Sequence, residues 1–253
     1  MDDHALVGVL HDAASAVRAT LDGLSDWGPA GTRAGQYRSD LAADAAALAV
    51  LAQAGLGAMS EESGPHDIER PVVVVLDPVD GSTNASRGLP WYATSLCALD
   101  ADGPRAALVV DQASGRRFGA TRGGGAHVDG VPLVPSTCAV MGEAIVGLSG
   151  HPPHALGWRQ FRAFGALALD LCAVAGGQLD AYIDCSPSAH GPWDYLGGLL
   201  ICHEAGAGVV DAWGRDLVTL DHAARRTPVA AGTGDLLAAA VAARTDFGDG
   251  AGQ

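Results

Sequence analysis

Residues 72–84 read VVVVLDPVDGSTN. Five apolar residues meet two aspartates that bracket Pro78-Val79, and Gly81-Ser82-Thr83 follows. The run from Val72 to Leu76 has the length and β-branching of a buried strand. Carboxylates at the end of such a strand cost free energy unless something positive sits between them. The proline is expected to end the strand and turn the chain, so that Asp77, the Val79 carbonyl and Asp80 converge. Gly81-Ser82-Thr83 then has the form of a helix start, whose free N–H groups and positive dipole end bind phosphate. The stretch therefore asks for cations between the aspartates and a phosphate resting on them.

On the N-terminal side of this strand, Leu6, Leu10, Ala13, Val17 and Leu21 recur at helical spacing and predict a helix over about 3–21, closed by Gly23. Leu41, Ala45, Leu48 and Leu51 predict a second over about 40–54, stopped by Gly55, with Asp44 in its first turn. On the C-terminal side, WYATSLCAL, RAALVVD, RRFGATR and AHVDGVPL read as further strands between Asp-Gly or Ser-Gly turns, which suggests an antiparallel sheet. After Pro135 the pattern alternates. EAIVGLSG and LDAYID are strands, while FGALALDLCAVAGG and PWDYLGGLLICHEAGAG are helices. GVVDAWGRDL is expected to return as a hairpin, GDLLAAAVAART as a last helix, and the glycine-rich acidic tail as disordered. The fold class is α+β passing into α/β. It comprises an N-terminal α+β half over 1–135 and a C-terminal α/β half over 136–253, with no repeats and no long linker.

The 253 residues are long enough for one large domain or two closely packed halves. All 15 basic residues are arginine, so a P-loop lysine and amine nucleophiles are excluded. A formal net charge of −14 with no basic stripe argues against nucleic acid as a partner, while a small anion remains allowed where cations neutralise the site. Five cysteines without a CxxC read as buried thiols of a reducing compartment. An acidic N-terminus and the lack of a long uncharged apolar run point away from a leader or a membrane span, and towards the cytoplasm.

Acidic groups at Asp44, Glu61-Glu62, Asp77, Asp80 and Asp194 stand out by position. They offer hard oxygen ligands with no His or Cys at ligand spacing, which selects Mg²⁺ over zinc. Taken together, MSEESG, LDPVDGSTN and WDYLGGLLICHEAGAGVVD resemble, in order and spacing, the inositol monophosphatase family of Mg²⁺-dependent, lithium-sensitive phosphatases. That resemblance implies a layered α-β-α-β-α sandwich, two or three Mg²⁺ ions per site, a homodimer and a small phosphate ester as substrate. It also implies roles for individual residues. Glu61, Asp77 and the Val79 carbonyl would hold one metal, and Asp77, Asp80 and Asp194 a second, with Glu62 supporting them. Asp44 and Ser82 would orient the attacking water, Gly81, Ser82 and Thr83 would hold phosphate, and Gly165, Ala166 and Asp184 would face the substrate. The chain departs from the family's pattern in several places. Ser82 replaces threonine, GQYRSDLAAD lacks the usual lysine and threonine upstream of Asp44, Asp184 stands for glutamate, and CSPSAHG is a longer loop. Substrate choice is accordingly expected in the segment from Arg159 to His190.

Blander or rival meanings attach to several of these features. Glu61-Glu62 alone could be a solvated turn, and Asp194 a helix N-terminal charge. Prolines inside His151-Pro-Pro-His154 prevent a helical zinc pair, so a plain loop is expected. RGGGAHVDG reads as a hairpin, GLSGH misses the G-x-S-x-G pattern, and Cys202 with His203 is expected in the core. A bisphosphatase would need a basic pocket, which Arg87, Arg159 and Arg162 could supply. A non-catalytic metal- and phosphate-binding relative is the remaining alternative.

Overall fold

A computed structural model describes residues 1–31, 36–186 and 190–247. The tail beyond Phe247 and the middle of the CSPSAHG loop, 187–189, lie outside the described residues. Helix α1 (Asp3–Asp22) starts at Asp2, whose carboxylate accepts the Ala5 N–H at 2.8 Å, and buries Leu6, Leu10, Ala13, Val17 and Leu21 on one stripe. With α2 (Arg38–Gln53) it covers one face of an eight-stranded sheet. The strands are β1 (Gly57–Ser60), β2 (Gly64–His66), β3 (Val73–Asp80), β4 (Ala93–Asp100), β5 (Gly103–Asp111), β6 (Arg117–Thr121), β7 (Gly125–Val128) and β8 (Val131–Pro132), in the order β2-β1-β3-β4-β5-β6-β7-β8.

This sheet is apolar on both faces, which is why the central strands read as continuous hydrophobic runs. Val74, Leu76, Leu96 and Leu108 pack under α1 and α2, whereas Val73, Val75, Cys97 and Val109 face α4 (Leu167–Ala175) and α5 (Pro192–Ala205) on the other side. Gly198 permits that second layer, because a Cβ there would stand 2.5 Å from the Leu171 Cβ. Beyond α4 lies a five-stranded mixed sheet, ordered β10 (Gln160–Arg162), β9 (Ile145–Ser149), β11 (Ala181–Asp184), β13 (Pro228–Ala231) and β12 (Gly208–Asp211), backed by α6 (Gly234–Asp246). The layered α-β-α-β-α order is as expected.

Four local features differ from the sequence reading. The first sheet is not wholly antiparallel: β1 runs parallel to β3, with Ser60 opposite Leu76. GAMS is too short and too poor in β-branched residues to announce itself as a strand. Pro78 does not end β3, which continues to Asp80 through a register shift between Asp77 and Asp80 that absorbs the missing N–H. GVVDAWGRDL is no local hairpin, since β12 pairs instead with β13, the strand after 212–227. His203 is exposed although Cys202 is buried, because one step along α5 turns the side chain away from the core. The AHVDGVPL hairpin does form, with positive φ at Asp129 and Gly130. Just ahead of it the amides of Gly123 and Gly125 hold the Glu204 carboxylate at 2.8 and 2.9 Å.

Candidate active site

The parallel register of β1 and β3 brings Glu61 and Asp77 out of the sheet side by side, and the Glu61 N–H donates to the Leu76 carbonyl at 3.1 Å. Asp194 arrives from the first turn of α5. Glu61, Asp77 and Asp194 each place a carboxylate oxygen within 4.8 Å of the others, a grouping of acids, His or Cys found nowhere else among the described residues. Burial and then the charge of Asp194 push the Glu61 carboxyl up to about 8, while burial and Glu61 hold Asp77 well above the usual carboxylate range. Three acids so close favour either bound protons or a cation. The all-oxygen donor set fits Mg²⁺.

Asp80 stands next to this trio rather than inside it. Its Oδ2 accepts the Ala168 N–H of α4 at 2.6 Å, and burial together with the Asp194 charge pushes its carboxyl up to about 7. The Val79 side chain is buried beneath α2, and the Val79 N–H donates to Asp77 Oδ1 at 2.9 Å. Glu62 accepts a hydrogen bond from the Gln36 amide.

Gly81 has φ +85° and is packed between its own half and the opposite one, since a Cβ there would lie 3.0 Å from the Trp91 carbonyl and 3.1 Å from the Gly165 carbonyl. The short helix α3 (Ser82–Ser86) follows, and Asn84 clamps it by donating to the carbonyls of Trp91 at 2.8 Å and Phe164 at 2.7 Å. This clamp sets Gly165 and Ala166 against Gly81. Thr83 is exposed and meets the Tyr37 hydroxyl at 3.3 Å.

Ser82 stands near Asp40, where its hydroxyl acts to lower that carboxyl, whereas Asp44 is engaged elsewhere. Asp40 lies in the first turn of α2, where its carboxylate accepts the Tyr37 N–H at 2.9 Å and the Ser39 hydroxyl at 3.1 Å. Burial pushes this carboxyl up to about 6, helped by the Glu62 charge and opposed by those hydrogen bonds. Asp44 is one turn further into the helix, buried, and accepts the Ser60 hydroxyl at 2.5 Å; Ser60 in turn accepts the Glu62 N–H at 3.0 Å. It braces the Glu61-Glu62 turn. The α2 helix starts at Arg38, three residues before its apolar periodicity begins at Leu41, so the first-turn acid is Asp40.

Asp184 departs from expectation too. At the end of β11 its side chain has no exposed surface, Oδ1 accepts the Ser186 N–H at 2.8 Å, and Oδ2 has no hydrogen-bond partner among the described residues. His190 stands between Asp184 and Asp194. Burial alone would lower its imidazole, but the Asp194 hydrogen bond and charge and the Asp184 charge push it up to about 9. Its sequence signal was the i, i+4 spacing to Asp194 across Pro192.

The segment 212–227 supplies a wall that the sequence did not announce. His222 stacks on Trp193 with centroids 4.6 Å apart and meets the Ser60 carbonyl at 3.1 Å, and the Arg225 guanidinium lies 5.1 Å from the Trp193 ring. Of the arginines expected to form a basic pocket, Arg87 is exposed at the end of α3, Arg159 lines a surface cavity with Glu143 and Asp180, and Arg162 lines another with Trp91 and Phe164. His151 and His154 lie in a loop, and His154 packs edge-on to Phe247.

A sequence profile of the inositol monophosphatase family matches residues 38–246. The chain is 31% identical over 172 residues to a fructose-1,6-bisphosphatase of Pyrococcus furiosus, covering 67% of each protein. It is 31% identical over 194 residues to inositol-1-monophosphatase ImpA of Mycolicibacterium smegmatis, covering 69% of each. Among solved structures, the inositol monophosphatase of Anabaena superposes with a TM-score of 0.79 at 23% identity, covering 96% of both chains, which is a likeness of fold.

Proposed function

This chain belongs to the inositol monophosphatase family, and from that premise we propose that it hydrolyses a small phosphate monoester of a polyol, sugar or amino alcohol in a Mg²⁺-dependent reaction. One observation carries the reading: Glu61, Asp77 and Asp194, drawn from three separate segments, converge within 4.8 Å with two of the three carboxyls raised by burial and mutual repulsion. Two or three Mg²⁺ ions held by Glu61, Asp77, the Val79 carbonyl, Asp80 and Asp194, with Glu62 in support, would relieve that repulsion, make water nucleophilic at neutral pH and neutralise charge on the departing oxygen. Asp40, close to Ser82, orients the attacking water and receives its proton. The amides of Ser82 and Thr83, which have no acceptor within so short a helix, hold the phosphoryl oxygens. Gly165 and Ala166, set against Gly81 by the Asn84 clamp, bound the substrate side. No helix among the described residues is long and apolar enough to cross a membrane. We take the working form to be a cytoplasmic homodimer, whose mass light scattering reads directly.

Phosphate release from a panel of sugar, polyol and amino-alcohol phosphates, with Mg²⁺ and after chelation, tests the reading. Release that survives chelation and dialysis would overturn it, and Mg²⁺ binding without release from any ester would mark a non-catalytic relative. Arg225 beside Trp193 favours a second reading, a bisphosphate substrate whose second phosphate meets that guanidinium. Arg225→Ala should then raise KM for bisphosphates while leaving monophosphates unchanged.

A further inference from the structure

The geometry points to His190 as a positioning residue that joins the buried carboxylate of Asp184 to the carboxylate of Asp194 and so tunes the Mg²⁺ affinity of the site. This inference rests on the metal-dependent reading above. Asp194 Oδ2 is engaged twice, by the Gly191 N–H at 2.8 Å and by His190 Nδ1 at 3.2 Å. Its Oδ1 receives no hydrogen bond among the described residues, and one carboxylate oxygen of Asp194 lies within 4.8 Å of those of Glu61 and Asp77. Both the neutral Nδ1–H tautomer and the imidazolium donate from Nδ1, so the contact does not depend on the charge of the ring.

On its other side, His190 Nε2 stands 3.4 Å from the Tyr182 hydroxyl and 3.7 Å from Asp184 Oδ1. Asp184 has no exposed surface, and His190 is the side chain that stands between it and Asp194. The ring is also fixed from behind. The Arg226 N–H donates to the His190 carbonyl at 2.9 Å, and Pro192 restricts the backbone where α5 begins. The arrangement Asp184–His190–Asp194 orients a metal ligand from outside the metal's own contacts, where removal of such a partner typically weakens metal affinity by about 10–100-fold.

The test is a Mg²⁺ titration followed by thermal shift and by phosphate release in parallel, on the full chain. His190→Ala and His190→Phe, the latter keeping the bulk without a donor, should raise the Mg²⁺ concentration for half-maximal stabilisation by roughly 10–100-fold. At saturating Mg²⁺, kcat should stay within a few-fold of wild type. His190→Asn, whose amide can donate to Asp194, should recover most of the affinity. Asp184→Ala added to His190→Ala should cost nothing further, because Asp184 acts through the ring. Wild-type Mg²⁺ affinity in both His190→Ala and His190→Phe, or a full additive loss from Asp184→Ala, overturns the role of His190 alone. A wild-type protein that Mg²⁺ does not stabilise overturns the metal-dependent reading, and this inference with it.

Discussion

Asp40 and Asp44 lie one turn apart on α2, and both are buried, yet their surroundings differ: Asp40 has Ser82 nearby, whereas Asp44 accepts the Ser60 hydroxyl behind the Glu61-Glu62 turn. Asp40→Asn should lower kcat by roughly 10²-fold or more, the usual scale for a proton acceptor. Ser82→Ala should match it, and the double variant should be little worse than either single one, since groups acting as a unit are not additive. Asp44→Asn should instead raise the Mg²⁺ requirement and spare kcat at saturation. Steady-state kinetics across a Mg²⁺ series separates the two, and a larger kcat loss at Asp44 than at Asp40 would reverse the assignment. The sequence made an acid on this helix legible. It could not say which of two acids at i and i+4 reaches a serine some forty residues away, because that depends on how α2 is rotated over the sheet.

Two elements hold the site in place without belonging to its chemistry. Helix α3 is only five residues long, and it keeps its position through the Asn84 grip on Trp91 and Phe164. Asn84→Ala removes both hydrogen bonds and should cost about 1–3 kcal/mol in denaturant unfolding, with a rise in KM as Gly81 drifts from Gly165. Segment 212–227, which carries His222 and Arg225, is pinned at both ends by Asp211. This carboxylate pairs with Arg215 at 2.7 Å and accepts the Trp213 N–H at 3.0 Å and the Thr227 N–H at 2.8 Å. Burial pushes its carboxyl up, but the Arg215 and Thr227 hydrogen bonds outweigh that and hold it below the usual range. A carboxyl depressed in the folded state adds stability above its unfolded value near pH ~4, and that stability is lost as pH falls through the folded value. Asp211→Asn should therefore unfold at lower temperature at pH 7, and its melting temperature should fall less steeply than wild type below pH ~4. Parallel acid limbs in the two proteins would show that Asp211 is not depressed.

Across the whole molecule, one hydrophobic cluster joins Val73, Val75 and Val109 of the first sheet to Leu171, Tyr182 and Leu199 beyond Pro135. Calorimetry should therefore show a single cooperative transition rather than two. Mg²⁺ that binds only the folded chain stabilises it by about 2.7 kcal/mol at a hundredfold excess over Kd, which should raise the melting temperature of a chain this size by about 5 °C or more. Absence of that shift would leave the acidic cluster without its counter-charge. Although the α2 stripe it pointed to leaves Leu41 and Ala45 exposed, the sequence by itself determined the layers, the α1 stripe, the continuous core strands, and that the acids Glu61, Asp77 and Asp194 would be brought together. These are written in local periodicity and in polar residues placed where an apolar run ends, signals that need no knowledge of distant neighbours. Only the tertiary structure decided that β1 runs parallel to β3, that Ser82 stands near Asp40, that Asp184 is sealed behind His190, and that Arg225 rather than Arg159 or Arg162 lies beside Trp193. Each of these is a contact between segments far apart in the chain, made by register, helix rotation and loop path, which a linear pattern does not encode.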